Sequence, residues 1–420
     1  MTQNKLPKGW KIVVSSEIMD IRDGTHDTPK YVQENGIPLI TSKNLKGNNI
    51  DFTKISFISK EDHFEISKRS KVESGDILFA MIGTIGNPAI IKGDTNFSIK
   101  NVGLFKKNES EILPVFFVNF LRSSLFEKQL NERKLLKGTT QKFIPLGNLR
   151  KLEIPLPPLE TQQLIVSKIE ELFNELDKGI EDLKLAQQQL KTYRQSVLKY
   201  AFEGKLTNKK VKDGVLPKGW YKIQIKNVAS INPKLPNKEQ IEKQMDVQFL
   251  PMKLVEAIIN KIHLIETRKF EDVLKGSYTP FVDGDIVFAK VTPCMENGKI
   301  AIVDKLKNAI GFGSSEFHVI RAGKEISNNY IFYFLIQNSF RNEAANEMTG
   351  AVGLRRVPKQ FIENYKIPLP SLQEQYKIID EIESRLSVAD KMEESINQSL
   401  LQAEALRQSI LKKAFEGKLV

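Results

Sequence analysis

One cysteine, Cys294, stands in a chain of 420 residues. That excludes an intramolecular disulfide and fits a reducing cytoplasm, the compartment expected here. Set among loop residues, Cys294 carries no nucleophile signature. Apolar residues never run far: the longest stretch, around 113–121, is about half of what a bilayer span needs. No basic-then-apolar leader is visible, so neither secretion nor a membrane partner is expected. The four histidines, His26, His63, His263 and His318, are scattered singly without metal-ligand spacing. A Walker A loop and a Gly-x-Gly-x-x-Gly turn are both missing. Asn87-Pro88-Ala89 and Asn232-Pro233-Lys234 lack the second proline and the aromatic of an adenine methyltransferase motif. The nearest nuclease-like run, Glu181-Asp182-Leu183-Lys184, reads better as the solvated face of a helix. These absences point to a chain with no catalytic residues, no metal site and no cofactor of its own.

What the chain does have is positive charge. A net charge of +12 and a pI near 9.3 favour a polyanionic partner. Fifty of the 63 basic residues are Lys, a skew that base composition alone can produce, so charge by itself does not name nucleic acid. Hydrophobic content of 40% and charged content of 27% describe an ordinary globular chain.

The chain also repeats itself. Leu6-Pro7-Lys8-Gly9-Trp10 returns as Leu216-Pro217-Lys218-Gly219-Trp220, 210 residues on. Ile154-Pro155-Leu156-Pro157-Pro158-Leu159 returns as Ile367-Pro368-Leu369-Pro370-Ser371-Leu372, displaced by 213. At the same displacement, Arg194-Gln195-Ser196-Val197-Leu198 and Ala201-Phe202-Glu203-Gly204-Lys205-Leu206 return as Arg407-Gln408-Ser409-Ile410-Leu411 and Ala414-Phe415-Glu416-Gly417-Lys418-Leu419. A unit this long is a duplicated domain with its connector, not a solenoid repeat.

Within each copy, short β-rich runs bounded by Gly, Asn and Asp come first: 10–14, 38–41, 77–81, 89–91 and 102–105, then 248–252, 286–289, 300–303 and 316–320. A turn feeding a core strand occurs in both, at Gly75-Asp76 and Gly284-Asp285. One Phe- and Leu-rich helix is predicted in each copy, over 114–131 and 328–347. The Pro-rich segment then ends the sheet and starts a long helix. From 160 to 202 apolar residues fall at Ile165, Ile169, Leu172, Leu176, Ile180, Leu183, Leu190, Val197 and Ala201, a coiled-coil seam with one stutter. The second copy places Ile378, Ile382, Leu386, Ala389, Ile396, Leu400, Ala403, Ile410 and Ala414 likewise. Such a helix spans roughly 60 Å at about 1.5 Å per residue, and the short 207–216 connector reaches at most about 35 Å. The expected fold is mixed α/β (α+β): two globular domains separated by an antiparallel pair of long helices, with an internal pseudo-two-fold repeat. The expected boundaries are head one 1–158, central helix 159–206, linker 207–215, head two 216–371 and C-terminal helix 372–420.

These residues resemble the specificity subunit of type I restriction–modification systems. The family's marks are a Leu-Pro-x-Gly-Trp opening, a Pro-Leu-Pro-Pro-Leu-x-x-Gln helix start and a helix ending in Arg-Gln-x-x-Leu-x-x-Ala-x-x-Gly-Lys-Leu. Here they stand at 6–10, 155–162 and 194–206, and each recurs once. The departures are small: Ser371 replaces Pro158, and Thr161 stands where the second copy has Glu374. The resemblance implies two target-recognition domains, each reading one half of a split, asymmetric site on double-stranded DNA. It implies two methyltransferase subunits docked on the helices, and restriction/motor subunits joining them. S-adenosylmethionine, Mg and ATP would then belong to those partners. A specificity subunit of another restriction–modification class, or a two-headed DNA-binding repressor, would share the layout.

Polar residues after strands and in Gly-rich loops are the candidate DNA contacts, because side chains there are free and backbone approaches closely. In head one these are Thr41, Ser42, Lys43, Asn44, Thr84, Lys100 and Asn101, with Lys137, Thr139, Thr140, Gln141 and Lys142. In head two they are Lys253, Lys290, Thr292, Asn297, Ser314 and Ser315, with the 350–356 loop and above all Arg355 and Arg356, since Arg reads guanine bidentately. Because the helix ends repeat while the heads differ, partner docking is expected on the helices, at Gln188, Arg194, Lys205, Arg407 and Lys418. Half-sites about one helical turn apart, ~10 base pairs, would follow.

Overall fold

The computed structural model describes residues 6–33, 35–208, 210–351 and 353–420. The first five residues of the expected head one, Lys209 of the linker and Val352 of the 350–356 loop lie outside the described residues. Two compact units emerge: 1–184 with 397–420, and 185–396. Neither unit is one sequence copy. Each takes one head, the opening part of that head's own long helix and the closing part of the other.

Among the described residues the head of the first unit holds four sheets, the smallest being the antiparallel pair Leu45–Lys46 and Asn49–Ile50. Lys11–Val14 pairs antiparallel with Glu153–Leu156. An antiparallel sheet runs Ile21–Asp23, Val102–Phe105, Ile77–Ala80, Gly86–Ile90. A mixed sheet runs Ser98–Lys100, Ile37–Thr41, Ser56–Ile58, Tyr31–Val32, with its first two strands parallel. The second unit repeats the plan. Tyr221–Gln224 pairs with Lys366–Leu369, and Ala229–Ile231, Phe317–Ala322, Ile286–Ala289 and Ile300–Ile302 form the antiparallel sheet. In its mixed sheet Asp246–Leu250 is parallel to Ile310–Gly313, with Glu266–Lys269 and Thr279–Val282 at the edges.

Two details differ from the sequence reading. The Ile-Pro-Leu segment, expected to stop the sheet, is itself a strand in each copy. Its proline is tolerated because the strand belongs to a two-stranded sheet with an open edge. Each Phe-rich helix is also two helices, Pro114–Leu121 then Ser124–Glu132, and Asn328–Leu335 then Asn338–Asn346. The break follows from Ser123, whose hydroxyl donates to Phe120 O (2.7 Å) and accepts from Phe126 N (3.3 Å), capping a new helix. At the second break Gln337 Nε2 donates to Phe334 O (3.1 Å).

Three repeated motifs now have physical reasons. Gln162 is fully buried: its Oε1 accepts from Leu113 N (2.9 Å), and its Nε2 donates to Glu111 O and Pro157 O (both 3.0 Å). Gln375 does the same with Ser327 N (2.8 Å), Glu325 O (2.9 Å) and Pro370 O (3.1 Å). Each glutamine therefore fastens the start of a long helix to the cap of a head helix. Asp76 and Asp285, read only as turn residues, are buried carboxylates. Asp76 accepts from Glu73 N (2.8 Å) and Lys106 Nζ (2.7 Å), while Asp285 accepts from Val282 N (2.9 Å) and both forks of Arg321 (2.7 Å). The helix ends close with left-handed glycines, Gly204 at φ +75 and Gly417 at φ +67. A Cβ on Gly204 would lie 2.2 Å from Pro217, and one on Gly417 2.3 Å from Pro7, so both openings pack on a helix end.

The long helices are Leu159–Phe202 and Leu372–Phe415. Every seam residue named from the sequence is buried or half-buried. In the first unit Arg407 pairs with Asp177 and lies over the Phe173 ring; in the second, Arg194 pairs with Asp390 (2.6 Å) and Glu393 (2.9 Å). Thr207 bonds Glu374 in the second unit, so its two helix segments run antiparallel. Phe415 packs edge-on against Phe116 and Phe120, and Phe202 against Tyr330 and Phe334. Burying each ring contributes about 2 kcal/mol. Each helix thus starts on its own head and ends in the core of the other copy's head. Among the described residues no helix is long and apolar enough to cross a membrane.

Candidate nucleic-acid interface

The parallel strand pair in each mixed sheet ends at one edge, and the candidate residues gather there. In the first unit Thr41, Ser42, Lys43, Asn44, Thr84, Lys100, Asn101 and Gln141 all line one open cleft of about 550 Å³, with Lys54. The hairpin carrying Gln141 is brought in by backbone bonds: Lys137 and Phe143 pair, and Gly83 N donates to Lys142 O (3.3 Å). Gly138 is required at its turn, since φ is +88 and a Cβ would sit 2.3 Å from Gln141 O. The tip side chains Lys137, Thr139, Thr140 and Lys142 are exposed. A larger concavity of the same unit, about 790 Å³, is lined by Lys128, Glu132, Arg133, Glu153, Lys412 and Glu416. Its alternating charge does not suit a polyanion; the lysine-lined cleft does.

Not every lining residue is free. Asn44 is buried and saturated: its Oδ1 accepts from Thr41 N (3.0 Å) and Thr41 Oγ1 (2.8 Å), and its Nδ2 donates to Asp51 O (3.1 Å) and Lys54 O (3.0 Å). Ser42 Oγ donates to Asn101 O (3.0 Å). Thr41, Ser42 and Asn44 shape the loop, leaving Lys43, Lys54, Thr84, Asn101 and Gln141 to line the cleft for a ligand. Among the described residues, Lys43 and Lys54 make no ion pair.

The second unit builds the same edge with different chemistry. Thr349 and Val291 both bridge to Arg356, Thr292 N donates to Arg355 O (3.0 Å), and Lys290 N donates to Glu316 O (2.9 Å). Ser314 N reaches Leu250 O (3.3 Å), and Lys299 Nζ reaches Met252 O (3.0 Å) beside Lys253. Lys253, Asn297 and Ser315 are exposed. Arg356 is not a free fork: its Nε and Nη2 donate to the two oxygens of Glu316 (2.8 and 2.7 Å), which hold that carboxyl below its usual pKa. Arg355 sits 3.5 Å from Glu296. Both arginines expected to read guanine are thus paired with carboxylates, which sequence spacing could not reveal because the partners come from other loops.

The helix residues are equally specific in their placement. Gln188 is exposed, flanked by exposed Leu185 and Tyr193 on a shallow groove. Arg194 and Arg407 are spent on the ion pairs above. Lys205 bonds Glu203 and Asp213 (2.5 Å to the latter), which raise its pKa, and Lys418 bonds Glu416 (2.7 Å). The neighbouring Gln195 and Gln408, overlooked in the sequence, join helix to head: Gln195 Oε1 accepts from Asn338 N (2.8 Å), and Gln408 Nε2 donates to Arg122 O (3.3 Å).

The profile of the family described as Type I restriction modification DNA specificity domain matches residues 7–184 and 217–402. The chain belongs to this family. Within it, the type I restriction enzyme EcoKI specificity subunit of Escherichia coli K12 is 25% identical over 434 residues, covering 100% of this chain and 91% of that protein. The EcoAI specificity subunit of Escherichia coli is 40% identical over 174 residues, which is 41% of this chain but 29% of that subunit; for EcoEI the share is 27%. Among solved structures, the HsdS subunit of Thermoanaerobacter tengcongensis is 20% identical over 98% of both chains, with a TM-score of 0.58. A chain from a study of type I R-M complex assembly and conformational transition is 19% identical, covers 98% of this chain and 99% of that one, and has a TM-score of 0.72. At these identities the two structures support the fold of this specificity-family member.

Proposed function

We propose that this protein is the sequence-reading, non-catalytic subunit of a type I restriction–modification complex. Each head reads one half of a bipartite, asymmetric site on double-stranded DNA. One observation carries this: both heads present polar and basic side chains from the same scaffold edge, yet head one sets unpaired lysines around its cleft where head two sets arginines paired with Glu296 and Glu316. A shared fold with unlike reading residues suits two different half-sites. Two methyltransferase subunits dock on the exposed helix faces around Gln188, and restriction/motor subunits join through that assembly. Adenine methylation with S-adenosylmethionine, and any step using Mg and ATP, belong to those partners.

The test is to replace 11–150 with another family member's head and sequence the methyladenine pattern of cells carrying the partner subunits. One half of the methylated motif should change while the other stays. A continuous motif, or change in both halves, overturns the bipartite reading. Methylation of DNA by this chain alone would overturn its non-catalytic role.

A further inference from the structure

Beside the cleft of the first unit, a single imidazole bridges two acceptors. His26 Nε2 lies 2.9 Å from Asp23 Oδ2, and His26 Nδ1 lies 2.8 Å from Asn101 Oδ1. Asp23 is buried, and its other oxygen takes Arg69 from the helix Lys60–Ser70. The geometry is pinned by backbone: Thr25 N donates to Ile99 O (3.0 Å) and Asn101 N to Thr25 O (3.2 Å). Gly24 permits this approach, since a Cβ there would lie 2.2 Å from Ile99 O. Lys100, next to Asn101, directs its ammonium to Thr28 Oγ1 (3.4 Å). The charged groups facing the imidazole are therefore Asp23 and Arg69.

A neutral imidazole has one N–H and cannot donate to two acceptors at once. Donation to both Asp23 and Asn101 Oδ1 requires the doubly protonated ring. When the proton leaves, Nε2–H stays with the carboxylate, which can only accept, and Nδ1 becomes a lone pair. Satisfying that lone pair requires Asn101 to turn its amide over and donate from Nδ2. The two amide orientations are nearly identical in shape and opposite in polarity. Hydrogen bonds to Asn101 and Asp23 raise the imidazole's pKa above its usual value, favouring the doubly protonated ring.

We infer that His26 is a positioning residue that sets which end of the Asn101 amide faces the cleft, and so which base the first head prefers. With the ring doubly protonated, Asn101 offers a donor, suited to N7, O6 or O4 acceptors on base edges. With the ring neutral it offers an acceptor, suited to the amino groups of adenine or cytosine. This rests on the reading of the heads as DNA readers.

The probe is a pool of randomised duplex DNA selected on the full chain at about pH 5.5 and about pH 8.5, followed by sequencing. Asn101→Ala identifies the base position that depends on Asn101. At that position the wild-type preference should move from acceptor-presenting to amino-presenting bases as pH rises, by about fivefold in relative enrichment. His26→Gln, at an exposed site, should keep binding and lose the pH dependence. Nitrogen-15 shifts of the His26 ring and the Asn101 amide should change together through the same pH range. An identical motif at both pH values, or a shift elsewhere than the Asn101 position, overturns the inference while leaving the heads as readers. A pool that enriches no motif at either pH overturns the DNA-reading role, and the inference with it.

Discussion

Head one and head two share strand order in their antiparallel sheets, buried glutamine fasteners and buried Gly-Asp carboxylates, and part company at the reading edge. Head one offers free lysines around an open cleft, whereas head two offers arginines already held by Glu296 and Glu316. The shared groups are those with no solvent to replace a lost partner. The unlike groups sit where water can satisfy either set, so they are free to differ.

If the fasteners are equivalent, breaking them should cost the two units alike. Phe415→Ala and Phe202→Ala should each destabilise their own unit by about 4 kcal/mol, since each leaves a cavity among buried aromatic rings. Urea unfolding, followed by hydrogen exchange to say which unit opens, measures this. A loss confined to one unit would break the equivalence. Gln162→Leu and Gln375→Leu remove three hydrogen bonds each and leave buried backbone groups unpaired. A cost of about 3 kcal/mol apiece is expected.

The reading edges should respond unlike one another. Lys43→Ala should weaken DNA binding uniformly across sequences and lower the salt slope by about 1. Glu316→Ala should free Arg356 and tighten binding, while Arg356→Ala should relax base discrimination in one half-site by roughly 2 kcal/mol. Equal losses from Glu316→Ala and Arg356→Ala would instead make the pair a loop brace. Titrations against a fixed duplex at several salt concentrations separate these outcomes.

Much of this comparison was legible in the sequence, because repetition and apolar spacing are written linearly. The seam at Ile165, Ile169 and their successors is buried as its spacing requires, and the Val102–Phe105 and Ile286–Ala289 strands stand where their β-branched and aromatic residues put them. Head one's cleft residues also converge, because ends of adjacent strands must share an edge. Pairing across loops was not legible. Nothing in the order of residues says that Glu316 meets Arg356, that Arg194 meets Asp390, or that Asp76 lies buried against Lys106. Nor could helical periodicity show that Phe202 and Phe415 leave the seam to enter a head's core.

The smallest expected effect concerns acid. His318 is buried in head two, donating from Nε2 to Val357 O (2.9 Å), and burial lowers its pKa below 6.5, outweighing that bond. A depressed histidine pKa means that the unfolded chain binds the proton more readily. Its contribution to stability is therefore complete above about pH 6.5 and is lost as pH falls through the lower folded value. In head one the histidines pull in opposite directions. Bonds to Asn101 and Asp23 raise the pKa of His26, whose contribution is lost as pH rises, while burial lowers that of His63. Acidification should accordingly speed hydrogen exchange, corrected for its intrinsic pH dependence, in the core strands of head two before those of head one. His318→Gln should flatten the response of head two and leave head one unchanged. Equal acid sensitivity in both heads, or a response in head two that survives the substitution, would move its cause to the carboxylate pairs that the heads have in common.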